Sequence, residues 1–199
     1  MRAEKIPGLS KNIEETTSPP HRVIWACTVG SKCYTSLWEG NELTLIDGGG
    51  SWGERINTLF FSTRSPYVFL GADDVLFHDG WLDAALETMQ DVDGVVAVND
   101  LHNPNGTLAL VSRRYIEEES GCIDVEGVVI YPGYFHNYSE TELFETAKSR
   151  GRFAYCEESV VEHLHPDAGK AEKDETYQLG MAHLVEDQDL FFSRRHLWA

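Results

Sequence analysis

Two adjacent aspartates, Asp73 and Asp74, follow an apolar run of five residues, Tyr67 to Gly71. Such a run is typical of a buried strand, so the two carboxylates lie where that strand ends. Adjacent carboxylates repel each other unless a cation joins them, and oxygen ligands suit Mg²⁺ or Mn²⁺. The pair therefore indicates a divalent-metal site. A solvated turn, with one aspartate as a cap, remains the alternative from these residues alone.

Two histidines near the C-terminus, His163 and His165, are candidates for a further metal ligand. They alternate in the stretch "VVEHLHP", so on a strand both point to the same face, and Pro166 ends that strand. We expect His165 to be the ligand because it is nearer the loop, with His163 as second choice. Two histidines also suit zinc, but the four cysteines are not spaced to complete a zinc site. A structural role for either histidine stays open.

The first half of the chain alternates strand and helix patterns. Strands are predicted at 22–29, 41–47, 67–74 and 94–100, and helices at 52–64 and 79–90, the second capped by Asp79. The apolar runs are continuous, which favours parallel strands covered on both faces. Ligands bind beyond the carboxyl ends of such strands, where Asp73 and Asp74 lie.

The second half of the chain has a mixed pattern. The sequence predicts a strand that leads into a short helix at 106–119, a helix at 139–151, one or two strands at 153–165 and a helical segment at 174–198. Ser139 and Glu142 have the spacing of a capping box. Residues 1–20 are polar and are interpreted as an arm outside the core. We expect one α/β domain over 1–199, with a Rossmann-like, mostly parallel central sheet flanked by helices.

Composition narrows the classes of function. The 199 residues carry a formal charge of −17, which repels nucleic acid and anionic membranes without excluding a local basic pocket. The sequence has no apolar run of membrane-spanning length and no apolar N-terminal signal region. Four cysteines without a CxxC pair are typical of a reduced, cytoplasmic protein, in the host cytoplasm if the protein is phage-encoded.

The stretch "ERINTLFFSTRSPYVFLGADDVLFHDGWLDAAL" resembles the central block of glycosyltransferases of the GT-A fold, particularly the large inverting family two. In that family an apolar strand ends in a DxD-type motif, often DxDD. Asp73 and Asp74 match its last two acids, while Gly71 stands where the first would be. The resemblance, closest to short phage and bacterial members, implies a Mn²⁺ or Mg²⁺ ion that bridges the diphosphate of a nucleotide-sugar, with a UDP-sugar as the expected donor.

The same resemblance assigns further residues. In "SETEL", Glu140 takes the position of the catalytic base, and in "NELTLID", Asp47 takes that of a contact to the nucleoside base. The end of the first strand contributes Thr28 and Val29 to the nucleoside. The remaining expected donor contacts are Arg55, Ala72, Asp73, Lys170, Arg194 and Arg195, whose cations would offset the diphosphate charge. The expected acceptor contacts are Trp81, Asn99, Asp100 and His136.

The implied reaction moves a sugar to an acceptor hydroxyl with inversion, residues 22–100 binding the nucleotide and residues 101–199 the acceptor. A protein, a glycan or a modified base are all candidate acceptors, and the sequence does not indicate an oligomeric state. Three other functions stay open: a nucleotidyltransferase, a nucleotide-sugar hydrolase and a non-catalytic interaction protein. The loss of the first DxD acid favours the last mildly, whereas the presence of the other parts argues against it.

Overall fold

A computed structural model describes residues 5–28, 42–46 and 50–199. The strands are β1 (Ile24–Thr28), β2 (Glu42–Ile46), β3 (Tyr67–Leu70), β4 (Val75–Phe77), β5 (Val95–Asn99), β6 (Ala109–Ser112) and β7 (Phe153–His163). The α-helices are α1 (Ile6–Thr16), α2 (Trp52–Ser62), α3 (Trp81–Val92), α4 (Arg113–Glu119), α5 (Ser139–Ser149), α6 (Glu175–Ala182) and α7 (Leu184–Arg194). The described chain also forms 3₁₀ turns at Pro166–Ala168, before α6, and at Arg195–Trp198, after α7.

The central sheet is mixed, so the expectation of a mostly parallel sheet is only partly confirmed. Its strand order is β3-β6-β5-β7-β4, and among these pairs only β5 and β7 run parallel. The predicted strand at 67–74 forms only β3, at one edge of this sheet, whereas the next strand, β4, lies at the opposite edge. A separate parallel pair is formed by β1 and β2.

Strand β6 runs antiparallel to β5 because of the connection that precedes it. Residues 100–108 contain no helix, so the chain turns back beside β5 instead of crossing over the sheet. Gly106 has a φ of 68°, and a Cβ there would lie 2.4 Å from the carbonyl oxygen of Val98. The turn therefore needs glycine at this position.

Helices α2 and α3 bury the faces that their sequences predict. Ile56 and Phe60 of α2 are covered, as are Leu82, Ala85 and Met89 of α3. Two predicted caps are wrong, however. Helix α3 begins after Gly80, not Asp79, and α5 begins after Tyr138 with no side-chain cap. A capping box does form elsewhere: Ser51 and Glu54 bond each other's backbone N–H at the start of α2.

The N-terminal segment is part of the core, which corrects its interpretation as an arm. Helix α1 buries Ile6, Leu9 and Ile13 in the cluster that also holds Phe77 and Trp81. The Asn12 side chain accepts the N–H of Phe77 at 2.8 Å and donates to its carbonyl at 3.0 Å. The polar residues that suggested an arm lie on the opposite, exposed face of the helix. In the described part of the chain, no helix is long and apolar enough to cross a membrane.

The packing of α1 predicts a large loss of stability when Ile6 is truncated. Ile6 is fully buried, so Ile6→Ala should lower the free energy of unfolding by about 2–5 kcal/mol, measured by urea titration. Lys11→Ala, on the exposed face of the same helix, should change it by less than about 0.5 kcal/mol. Equal, small effects of both substitutions would show that α1 is not docked.

Candidate functional site

A cavity of about 950 Å³ opens where β3 and β7 end. Its described wall includes five groups that the sequence singles out: Asp73, Asp74, Glu140, His163 and His165. These residues come from three separate parts of the chain. The fold therefore brings together the predicted metal ligands and the predicted base.

Asp74 and His163 lie against each other at the edge of the cavity. His163 Nε2 lies 3.5 Å from Asp74 Oδ1, and both side chains are mostly buried. The backbone fixes this approach, because Leu164 donates its N–H to the carbonyl of Asp74 at 2.8 Å. The other ring nitrogen, Nδ1, lies 3.2 Å from the hydroxyl oxygen of Thr107, which orients the ring.

His165 lies beside this pair, in surroundings that favour the uncharged form of its ring. Its ring stacks on His102 with the centroids 5.0 Å apart, and its Nδ1 accepts the N–H of Asp167 at 3.2 Å. Burial lowers the pKa of His165, and the neighbouring imidazoles of His163 and His102 lower it further. Because a neutral imidazole is the form that binds a metal, this environment suits a ligand.

The donor set fits a divalent cation without forming a complete cage. Carboxylates and imidazole are ligands that Mn²⁺ accepts, and an Asp74–His163 pair is already in place. Across residues 5–28, 42–46 and 50–199, no three His, Cys, Asp or Glu side chains converge closely enough to hold a metal by themselves. A cation at this site would therefore draw further ligands from a bound molecule or from rearrangement of the side chains.

Glu140 is in the first turn of α5 and faces the same cavity. Burial raises the pKa of Glu140 to about 7, while its own backbone hydrogen bond and the nearby His163 oppose that rise. A carboxyl group with a pKa near neutrality accepts a proton efficiently from a weakly acidic hydroxyl. The geometry thus offers a general base beside a candidate cation site.

This arrangement occurs on a fold with a solved counterpart. The chain superposes on mannosyltransferase PcManGT from Pyrobaculum calidifontis, solved in complex with GDP-Man and Mn²⁺, with a TM-score of 0.59 at 17% sequence identity. The chain shares the fold of this mannosyltransferase. The superposition covers 85% of this chain but 55% of the mannosyltransferase, so this chain spans about half the length of that protein. No family model and no curated protein matches the sequence.

Three predicted donor-binding cations of this glycosyltransferase fold are not among the described residues that line the cavity. Arg194 is buried and pairs with Glu142 at 2.7 Å and Asp124 at 2.6 Å. Lys170 pairs with Glu162 at 2.9 Å, and Arg195 is exposed near the ring of Phe192. Arg194 and Lys170 thus have carboxylate partners within the protein, and donor contacts by these three cations stay a prediction.

Three predicted acceptor-binding residues also have structural roles. Trp81 is 4% exposed, packs on Phe69 and Phe77, and donates its indole N–H to Thr17 at 2.9 Å. Asp100 is fully buried, and its carboxylate accepts three hydrogen bonds in the turn after β5, from His102, Asn103 and Thr107. Asn99 bonds backbone groups of Leu101 and Glu157. Trp81 also lines the cavity, and acceptor contacts by these three residues stay a prediction.

The remaining predicted residues divide into two groups. Arg55, Ala72 and His136 line the cavity, so their proposed contacts are geometrically open to test. Thr28 ends β1, and its side chain, like Val29 and Asp47, lies outside the described residues.

Sequence reasoning missed several residues of the cavity wall, notably His102, Thr107 and Tyr177. His102 and Thr107 are in the turn after β5, where no periodicity marks them. The signal that was available is positional: the turn directly follows the carboxyl end of a buried strand. Tyr177 of α6 donates its hydroxyl to Asp167, which brings that helix to the site.

The buried Arg194–Glu142 pair predicts a large effect on stability. Arg194→Ala leaves the 1% exposed Glu142 carboxylate without its cation and should lower the free energy of unfolding by about 3–5 kcal/mol. The adjacent Arg195→Ala, at an exposed position, is the matched control and should cost less than about 0.5 kcal/mol. Urea unfolding measures both, and a small effect at Arg194 would contradict its structural role.

Proposed function

We propose that this protein is a metal-dependent glycosyltransferase that moves a sugar from a nucleotide-sugar to an acceptor hydroxyl with inversion. One observation carries the proposal: the half-buried Glu140 and the Asp74–His163 pair face a single cavity at the strand ends of a glycosyltransferase fold. The solved neighbour on the same fold is in complex with GDP-Man and Mn²⁺, which supports both a nucleotide-sugar and a divalent cation here.

Asp73, Asp74 and one or both of His163 and His165 would hold Mn²⁺ or Mg²⁺. The bound cation supplies positive charge against the nucleoside diphosphate that leaves the sugar. Gly71, at the position of the missing first acid of the motif, also lines the cavity. Because that acid is absent, metal binding would depend more on the imidazoles of His163 and His165.

Glu140 would remove the proton of the acceptor hydroxyl while the hydroxyl oxygen attacks the anomeric carbon of the sugar. As the new carbon–oxygen bond forms, the bond to the diphosphate breaks on the opposite side, so the sugar configuration inverts. Burial of Glu140 supports this role, because a desolvated carboxylate holds the proton it receives at neutral pH.

The donor would lie along the wall formed by Arg55 of α2 and by the segment after β3 that contains Ala72. Arg55 is the predicted diphosphate contact that does line the cavity. The resemblance favours a UDP-sugar, whereas the solved neighbour carries GDP-Man, so both nucleotides belong in any test. Of the predicted acceptor contacts, His136 and Trp81 line the cavity, and the candidate acceptors are a protein, a glycan or a modified base.

The proposal predicts metal-dependent nucleotide binding through Asp74. Calorimetry with GDP and UDP, each with and without Mn²⁺, should detect binding that requires the metal. Asp74→Ala should weaken that binding at least about tenfold, since it removes a metal ligand. Asp79→Ala, an exposed aspartate five residues away, should leave it unchanged. Metal-independent binding, or equal effects of both substitutions, would remove the basis for the metal site.

Glu140 should control turnover and its pH dependence. Glu140→Gln should retain metal-dependent nucleotide binding but lose turnover by about two orders of magnitude or more. Because the base must be deprotonated and burial raises its pKa to about 7, wild-type turnover should rise as the pH passes upward through 7. A glutamate with an ordinary pKa would instead give a rise near pH 4–5. Full turnover by Glu140→Gln would place the base elsewhere.

A further inference from the structure

The C-terminal helix α7 holds the segment that leads into α5. Asp187 of α7 is 3% exposed, and its carboxylate accepts the backbone N–H groups of three successive residues. These groups belong to Phe135 at 2.8 Å, His136 at 3.0 Å and Asn137 at 2.8 Å. Three amide donors converge on one buried carboxylate that lies fifty residues later in the chain.

The geometry of this contact favours a carboxylate, because both of its oxygens accept N–H groups. Three N–H groups in succession form a concave donor site, and an anion satisfies it better than a neutral group. The side chain of Asn137 bonds the carbonyl of Gly180 at 2.9 Å and Asp187 at 3.3 Å, so α6 joins the same network. An amide in place of the carboxylate would turn its NH₂ group toward at least one of these N–H donors and leave that donor without an acceptor.

The residues that follow Asp187 in α7 hold Tyr138, which links this contact to the cavity. Gln188 donates to the hydroxyl of Tyr138 at 2.8 Å, and Phe191 stacks on the same ring with the centroids 5.0 Å apart. Tyr138 has a φ of 63° and caps α5, so its left-handed backbone sets the direction in which the helix begins. Glu140 follows two residues later, while His136 lies inside the fixed segment.

We propose that Asp187 is a positioning residue: by binding the amides of residues 135–137, it sets where His136 and Glu140 lie in the cavity. The inference rests on the proposed function, in which Glu140 is the base and His136 an acceptor contact. Asp187 itself is not among the described residues that line the cavity, so it acts through the backbone.

Asp187 can be tested apart from the attachment of α7 as a whole. The same helix is also fixed by the two-pronged contact of Arg194 with Glu142, at 2.8 and 2.7 Å. Asp187→Asn should therefore leave α7 in place and loosen the 135–138 segment. A displacement of about 1 Å in a catalytic group costs on the order of a hundredfold in rate.

The test compares Asp187→Asn with Asp189→Asn, which makes the same charge change at an exposed position of the same helix. At a temperature where both variants are folded, Asp187→Asn should lower kcat by about tenfold to a hundredfold and raise the KM for the acceptor. It should leave the metal-dependent affinity for GDP or UDP within about twofold, and Asp189→Asn should change none of these quantities. Unchanged kcat and acceptor KM in folded Asp187→Asn would overturn the proposal.

A second readout does not depend on activity. The carboxyl ¹³C resonance of Glu140, assigned with Glu140→Gln, reports the pKa of that side chain, on which His163 and Asp100 also act. In Asp187→Asn the loosened segment should hydrate Glu140, so its pKa should fall toward the ordinary range of a glutamate. If the wild type transfers no sugar from a GDP-sugar or a UDP-sugar, the proposed function fails. This titration alone then decides the role of Asp187.

A milder variant protects the test against misfolding. Asn137→Ala removes the side-chain bonds to Gly180 and Asp187 but keeps the three amide bonds. It should give the same direction of change in kcat and in the pKa of Glu140, with smaller size. If Asp187→Asn does not fold, unchanged values in Asn137→Ala overturn the proposal.

Discussion

The path of β7 holds the two sides of the candidate site together. Its first half pairs in parallel with β5, and its last residues pair with β4 in the opposite direction. A register shift lies between these halves: Val98 pairs with Cys156, but the next residue, Asn99, pairs with Val160. Because of this shift, His163 arrives opposite Val75, one residue from Asp74. The backbone N–H of His163 bonds the carbonyl of Asp100 at 2.9 Å, so three strand ends meet at one point.

Two glutamates on α5 show how the fold divides charge between structure and chemistry. Residues two apart on a helix face different directions. Glu142 points inward, where Arg194 and the hydroxyl of Tyr134 at 2.6 Å satisfy its carboxylate. Glu140 points into the cavity, where burial raises its pKa to about 7. The ion pair therefore stabilises the helix, and the desolvated neighbour remains available for proton transfer.

The sequence predicted those parts of the site that depend on local pattern. Apolar runs located the strands, and the residues at their ends (Asp73, Asp74, His163, His165) do share a cavity with Glu140. Strand order was out of reach, because the antiparallel direction of β6 depends on a helix-free turn that brings it back beside β5. The core position of α1 was hidden by its polar outer face. Its apolar residues Ile6, Leu9 and Ile13 do have helical spacing.

The charged residues were the hardest to assign from sequence. Arg194 looked like a free cation in an acidic chain, yet its partners lie 52 and 70 positions away along the sequence. No local pattern indicates the role of Asp187, since a lone aspartate in a polar helix resembles any solvent-exposed charge. Both act through tertiary contacts that local pattern does not encode. By contrast, the adjacent pair Asp73 and Asp74 stood out because it follows directly from an apolar strand.

The most direct test of this account is a crystal structure of the protein with Mn²⁺ and either GDP or UDP, with the metal located by anomalous scattering. The account predicts a manganese peak within coordinating distance of Asp74 and of His163 or His165. The diphosphate should lie on the cavity side that Arg55 lines, and Glu140 should face the open space beside it. A nucleotide bound away from this cavity, or bound there with no metal near Asp74, would contradict the account.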